Sequence, residues 1–124
     1  MADGSVSIVE ETYGSVKKIA FSWTSGTGAE EGTASGTTSS AYNGEIVRLV
    51  TNPDNVDAPD NQYDVVINDE DENDVLMGAG ADRSNVNTEQ VLASSLGCVA
   101  NDKLSISITN AGAANKGLTY LYIR

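Results

Sequence analysis

The chain predicts an all-β fold, an antiparallel β-sandwich of jelly-roll-like character with one short helical turn. Three features of the sequence carry that expectation. Apolar residues recur at every second position in one segment after another, the period of a half-buried strand. The segments are short and separated by Gly, Pro, Asn and Asp clusters that favour turns. Only "EQVLASSL", Glu89 to Leu96, has helical composition, and it is short enough for no more than a turn or two.

The elements follow in order. "SVSIVEE" from Ser5 and "SVKKIAFSW" to Trp23 flank Thr12-Tyr13-Gly14 and predict an opening hairpin, with Ile19, Phe21 and Trp23 inward and Lys18, Ala20 and Ser22 outward. Residues 24–43, "TSGTGAEEGTASGTTSSAYN", are rich in Gly, Ser and Thr and nearly free of apolar side chains before Tyr42, which predicts a long loop or arm. Within it the Thr-rich run from Thr33 to Ser40 could form an edge strand. "GEIVRLVTN" from Gly44 predicts a strand with Ile46 and Val50 on one face and Val47 and Leu49 on the other, closed by Pro53-Asp54. After the acidic loop "NPDNVDAPDNQ", the runs "YDVVIND" and "DVLMG" predict a strand pair with an acidic tip. "KLSISITN" and "GLTYLYIR" alternate strictly, placing Leu104, Ile106 and Ile108 on one face, and Leu118, Tyr120 and Tyr122 opposite Thr119, Leu121 and Ile123. About seven short strands of this kind predict a two-layer sandwich, jelly-roll or immunoglobulin-like. At 124 residues the chain predicts a single domain over 1–124.

Charge and composition exclude several function classes. Eighteen acidic against seven basic side chains give a net charge of −11, which repels phosphate and disfavours nucleic acid and anionic membranes as partners. The opening "MADGSVSIVEETYG" has no basic segment leading into an apolar one, so neither a secretory signal nor a membrane span is expected. With no histidine the chain lacks the usual general base, and Ser-Lys chemistry has no recognisable context among Lys17, Lys18, Lys103 and Lys116. The single cysteine, Cys98, lies between Gly97 and Val99 and is expected to pack as a small buried hydrophobe. An enzyme is not expected, and no cofactor is implied.

The segment "NDEDENDVLMGAG" holds five carboxylates in the six residues Asp69 to Asp74 and is the densest chemistry in the chain. Asp69, Asp71 and Asn73 fit the first, third and fifth positions of an EF-hand loop, but Asp74 stands where its glycine belongs and Gly80 where its bidentate glutamate belongs. A glycosidase pair would need one acid buried enough to stay protonated, which a hairpin tip does not provide. The expected structure is a solvated turn in which Asp and Asn bond their own backbone, and whose acids could face a basic partner. "GAGADR" from Gly78 lacks the third glycine of a dinucleotide fingerprint and the Lys-Ser or Lys-Thr of a P-loop.

The succession "GEIVRLVTNP", "YDVVINDEDENDVLMGAGADR", "NTEQVLASSLGCVANDKLSISITNAG" and "LTYLYIR" resembles the head decoration, or cement, proteins of tailed bacteriophages. The resemblance implies a β-rich protein on the outside of a virion capsid, bound to the major capsid protein as a dimer or trimer and made in the host cytoplasm. It brings no catalytic residues with it. The candidate interface residues are Tyr13, Tyr42, Tyr63, Asp69 and Asp71, with the last-strand tyrosines Tyr120 and Tyr122 as further apolar candidates. A second reading is a β-sandwich binding module of a phage tail or fibre that recognises a glycan or receptor, with Trp23, Tyr42 or Tyr63 stacking on a sugar.

Overall fold

The computed structural model describes residues 3–124. Strands β1 (Ser5–Tyr13) and β2 (Val16–Thr24) pair along their full length, and the two-residue connection begins with Gly14 at φ +59°, the left-handed region such a turn needs. After a 3₁₀ turn at Gly28–Glu30 come β3 (Ala34–Thr37), the long β4 (Tyr42–Pro53), β5 (Asp64–Asn68) and β6 (Glu89–Leu92). A second 3₁₀ turn at Ala93–Ser95 precedes β7 (Cys98–Asp102), β8 (Ser105–Thr109) and β9 (Lys116–Ile123).

These strands form an all-β antiparallel sandwich. The larger sheet runs β1-β2-β9-β4-β6, with β7 also pairing one end of β4, and the smaller runs β3-β8-β5. At one margin the sheets converge: a Cβ on Gly36 of β3 would lie only 3.1 Å from Val6 Cβ of β1, so the larger sheet curls toward the smaller there. Ile19, Phe21, Trp23, Ile46, Leu49, Leu121 and Ile123 from the larger sheet meet Val65, Ile67, Leu104, Ile106 and Ile108 from the smaller side in one core. The alternation places the inward side chains of β2 as the sequence predicts, and it separates the faces of β8 and β9 as predicted, with Leu121 and Ile123 taking the inward side of β9.

Five local expectations are corrected. In β4 the register against β9 shifts between Ile46 and Arg48, a bulge that lets Ile46 and Leu49 both face the core and puts Val50 on the opposite side of the sheet, across from Tyr120, where it is nonetheless buried. Glu89–Leu92 is a strand, not a helix: β4 offers it an open edge, and pairing there overrides weak helical propensity, leaving one 3₁₀ turn after it. "DVLMG" makes a single bridge, Asn68 with Asp74, and then a run of turns, because the Asp74 carboxylate accepts N–H bonds from Leu76 at 3.0 Å and Gly78 at 2.9 Å. Cys98 is exposed, since β7 alternates and Val99 takes the inward position. Tyr42 and Tyr63, expected at an interface, are inside at 7 % and 0 % exposure because each ring fills the core.

The Gly/Ser/Thr-rich segment 24–43 carries β3 and is bonded to the body of the protein. The Ser25 hydroxyl donates to the Gly112 carbonyl at 2.6 Å, and Leu104 N–H donates to Thr38 Oγ1 at 3.0 Å. Its small residues let it lie flat over the core, which is why it holds so few apolar side chains.

Candidate functional site

The outer face of the larger sheet departs from ordinary sandwich chemistry. An antiparallel sheet with one solvated face normally reads apolar-in and polar-out. Cross-strand pairing here aligns three outward rows instead. The middle row is Val9, Ala20, Tyr120, Val50 and Gln90. Beside it run Glu11, Lys18, Tyr122, Arg48 and Leu92, and on the other side Ser7, Ser22, Leu118 and Asn52. Val9 is 52 % exposed, Leu92 77 % and Tyr13, also outward on β1, 58 %. Half of the exposed large hydrophobic residues among those described therefore lie on this one surface; Val56, Met77 and Val86 sit on loops.

Two cations lie over its tyrosines. The Lys18 ammonium is 5.0 Å from the Tyr120 ring centroid and the Arg48 guanidinium carbon 5.1 Å from that of Tyr122. Arg48 is fixed further by donating from Nε to Gln90 Oε1 at 2.9 Å. The alternation of β9 that buries Leu121 and Ile123 also turns Tyr120 and Tyr122 outward, so one sequence pattern builds both the core and this surface. At the end of the outer row a shallow cavity of about 380 Å³ opens among Ser22, Thr24, Asn52, Asp54, Lys116 and Leu118.

The candidates predicted from sequence are distributed unequally. Tyr13 belongs to the outer face, where hydrogen bonding to Glu11 raises the pKa of its hydroxyl. Tyr42 is internal; its hydroxyl donates to Glu10 Oε1 at 2.7 Å, and burial, then that bond, raises its pKa. Tyr63 packs against Trp23, with ring centroids 5.4 Å apart. Trp23 is also buried, so none of the three aromatic residues considered for sugar stacking reaches solvent. Asp69 and Asp71 lie on the acidic turn, away from the sheet face in sequence and in pairing. Asp69 Oδ1 accepts N–H bonds from Asp71 at 2.9 Å and Asn73 at 3.0 Å, so its carboxylate is occupied with the turn itself. Among the described residues no group of carboxylates or thiols is arranged to hold a metal ion.

Sequence reasoning counted Tyr120 and Tyr122 of the last strand among the apolar contact candidates, and the structure sets both on this outer face. The cross-strand rows were not visible from the sequence, because they depend on β9 being inserted between β2 and β4.

Comparison with known proteins adds little to this geometry. No family model matches the chain, and no curated protein matches it. One solved structure similar to it is that of a low affinity xylan binding module from the gut symbiont Roseburia intestinalis, at 13 % identity over 96 % of this chain and 84 % of that one, with a TM-score of 0.33. A likeness of that size carries no argument. The fold and the surface define an all-β sandwich with an aromatic and apolar outer sheet face.

Proposed function

We propose that the protein is a non-enzymatic virion structural protein that binds the outside of a phage capsid and stabilises it as a decoration protein. The observation that carries the reading is the outer sheet face. It gathers Val9, Tyr13, Tyr120, Tyr122 and Leu92 on a chain whose net charge is otherwise strongly negative. Aromatic and Arg side chains are enriched at protein interfaces, and the acidic remainder discourages nonspecific association. The partner is the major capsid protein, offering an apolar patch edged by carboxylates that complement Lys18 and Arg48. Many modest contacts of this kind repeated over a symmetric shell add through avidity, and self-association into a dimer or trimer would multiply them.

The test is co-sedimentation of the purified protein with mature heads stripped of it, at low and high salt. Saturable binding at a fixed ratio to capsid subunits, persisting at high salt, supports docking through the apolar face. Binding abolished by salt would make charge pairing the main contact, through Lys18 and Arg48 or through the acidic turn at Asp69 and Asp71, rather than the apolar side chains. No binding to heads would overturn the reading.

A second reading is the glycan- or receptor-binding module of a tail or fibre. Its support is the pair Tyr120 and Tyr122, which stand two residues apart on one face beside a polar cavity. The cations over both rings count against sugar stacking there. Glycan-array binding lost in Tyr120→Ala would favour this module over the capsid role.

A further inference from the structure

The core contains polar atoms that the protein leaves without partners, and they are gathered rather than scattered. Trp23 Nε1, Thr51 Oγ1, Tyr63 Oη and Thr119 Oγ1 are each buried with no hydrogen-bond partner, on residues that are 0–1 % exposed. Thr51 and Thr119 are directly paired across β4 and β9. Trp23 is paired with Gly117, two residues along β9 from Thr119, and its ring touches that of Tyr63. The phenol of Tyr63 is close enough to Thr51 to feel its hydroxyl, although burial dominates and pushes the Tyr63 pKa up to about 12. Three strands of the larger sheet and the residue leading into β5 thus direct polar groups into one region between the layers.

We infer that Trp23, Thr51, Tyr63 and Thr119 form an internal hydration site, holding ordered water that bridges the larger sheet to Tyr63. An unpaired buried donor or acceptor keeps its full desolvation penalty, so the same region dry would carry that penalty at each of these atoms. The donor set selects the ligand class. Two aliphatic hydroxyls and a phenol can each donate and accept, whereas the indole only donates. None of these groups carries a full charge, so neither a cation nor an anion is matched. A neutral molecule with both donors and acceptors and a need for two to four partners is matched, and water is the smallest. The site has a polar margin: Glu89 pairs with Thr51 across β4 and β6, its carboxylate lies 3.8 Å from Arg83 Nη1, and Arg83 N–H donates to the Tyr63 carbonyl at 2.7 Å. The pair is only partly exposed, with the Arg83 side chain mostly covered.

The decisive measurement is a high-resolution crystal structure of the wild-type protein, paired with water-to-protein cross-relaxation in solution. Ordered density within hydrogen-bond distance of at least two of the four atoms, with long-lived cross-peaks to Tyr63 or Thr119, supports the site. An empty region with no such cross-peaks overturns it. Thr51→Val and Thr119→Val, which keep side-chain shape, give a second reading. A hydrated site loses a partner for its water and each variant melts at lower temperature, with altered cross-relaxation at the remaining three residues. A dry site sheds an unpaired hydroxyl and each variant melts at higher temperature, which overturns the inference.

Discussion

The Arg48 guanidinium carbon stands 5.1 Å from the Tyr122 ring centroid, with Gln90 of β6 accepting from its Nε, so one cation ties β4, β6 and β9 together across the outer face. An exposed cation–π contact contributes about 0.5–1 kcal/mol, and Arg48→Ala should cost roughly that in denaturant unfolding. Its effect on capsid binding should be larger than its effect on stability if the face docks.

Leu92→Glu and Val9→Glu separate binding from folding. Both side chains are exposed, and surface substitutions usually change stability by less than about 0.5 kcal/mol. A charge buried against an apolar partner should weaken head binding by about tenfold or more, read as a shifted saturation curve in co-sedimentation. Unchanged binding in both variants would remove the outer face from the interface.

Gly117→Ala tests the packing beneath that face. A Cβ at residue 117 would run into Trp23 Cζ2 and lie 2.7 Å from its Cε2, and the indole is buried in the core. Overpacking of this kind costs about 1–3 kcal/mol, so the variant should melt well below the wild type and lose part of its native tryptophan fluorescence signature. An unaltered melting temperature would mean that the indole can move aside.

What the sequence made legible was set by local periodicity. The inward face of β2 could be read residue by residue and the two faces of β8 and β9 could be separated, because strict alternation fixes which residues share a face. Which face of β9 is buried was not legible, since Leu118, Tyr120 and Tyr122 are as apolar as Leu121 and Ile123. Val47 broke the reading of β4, since a one-residue bulge inverts every side chain beyond it and leaves no compositional mark. Tyr42 and Tyr63 look like surface aromatics in sequence because polar residues flank them; only the packing of both sheets shows that they are core. The candidate surface was the least legible part, for its rows join residues from β1, β2, β4, β6 and β9 that are far apart in the chain.

Cys98 offers an inexpensive check of the β7 register. As an exposed thiol on an outward position it should react fully with a disulfide reagent in the native protein, and Cys98→Ser should leave the melting temperature unchanged within about 0.5 kcal/mol of stability. Reaction only after denaturation would put Cys98 inside and shift β7 by one residue.

The acidic turn should rank its own carboxylates. Asp74 accepts from Leu76 and Gly78 and more weakly from Ile67, Asp69 accepts from Asp71 and Asn73, and the exposed Asp71 contributes only its backbone N–H to this set. Alanine substitutions should therefore destabilise in the order Asp74, Asp69, Asp71, with the first costing about 1–2 kcal/mol by analogy with lost caps. Because the carboxylates of Asp69 and Asp74 already serve backbone N–H groups, millimolar calcium should not raise the melting temperature; a clear rise would mean that the turn rearranges around a cation.

Glu10 gives the fold a pH dependence whose sign is fixed by its partners. Burial pushes its pKa up, but the Tyr42 hydroxyl at 2.7 Å and the backbone N–H groups of Ser39 at 2.9 Å and Ser40 at 3.1 Å together outweigh it, leaving the pKa below its usual 4.5. A carboxylate with a depressed folded-state pKa contributes stability that is present above its unfolded pKa and is lost as pH falls through the folded one. The wild type should accordingly weaken as pH drops below about 4.5. Glu10→Gln keeps an acceptor oxygen but not the charge, so it should cost on the order of 1 kcal/mol at neutral pH after allowing for solvent screening, and show a shallower loss in acid. Because this contact holds the 38–42 segment against β1 where the two sheets converge, the acid-weakened state should open there first, detected as faster amide exchange at Ser39 and Ser40. Equal pH profiles for wild type and Glu10→Gln would assign the acid sensitivity to other carboxylates.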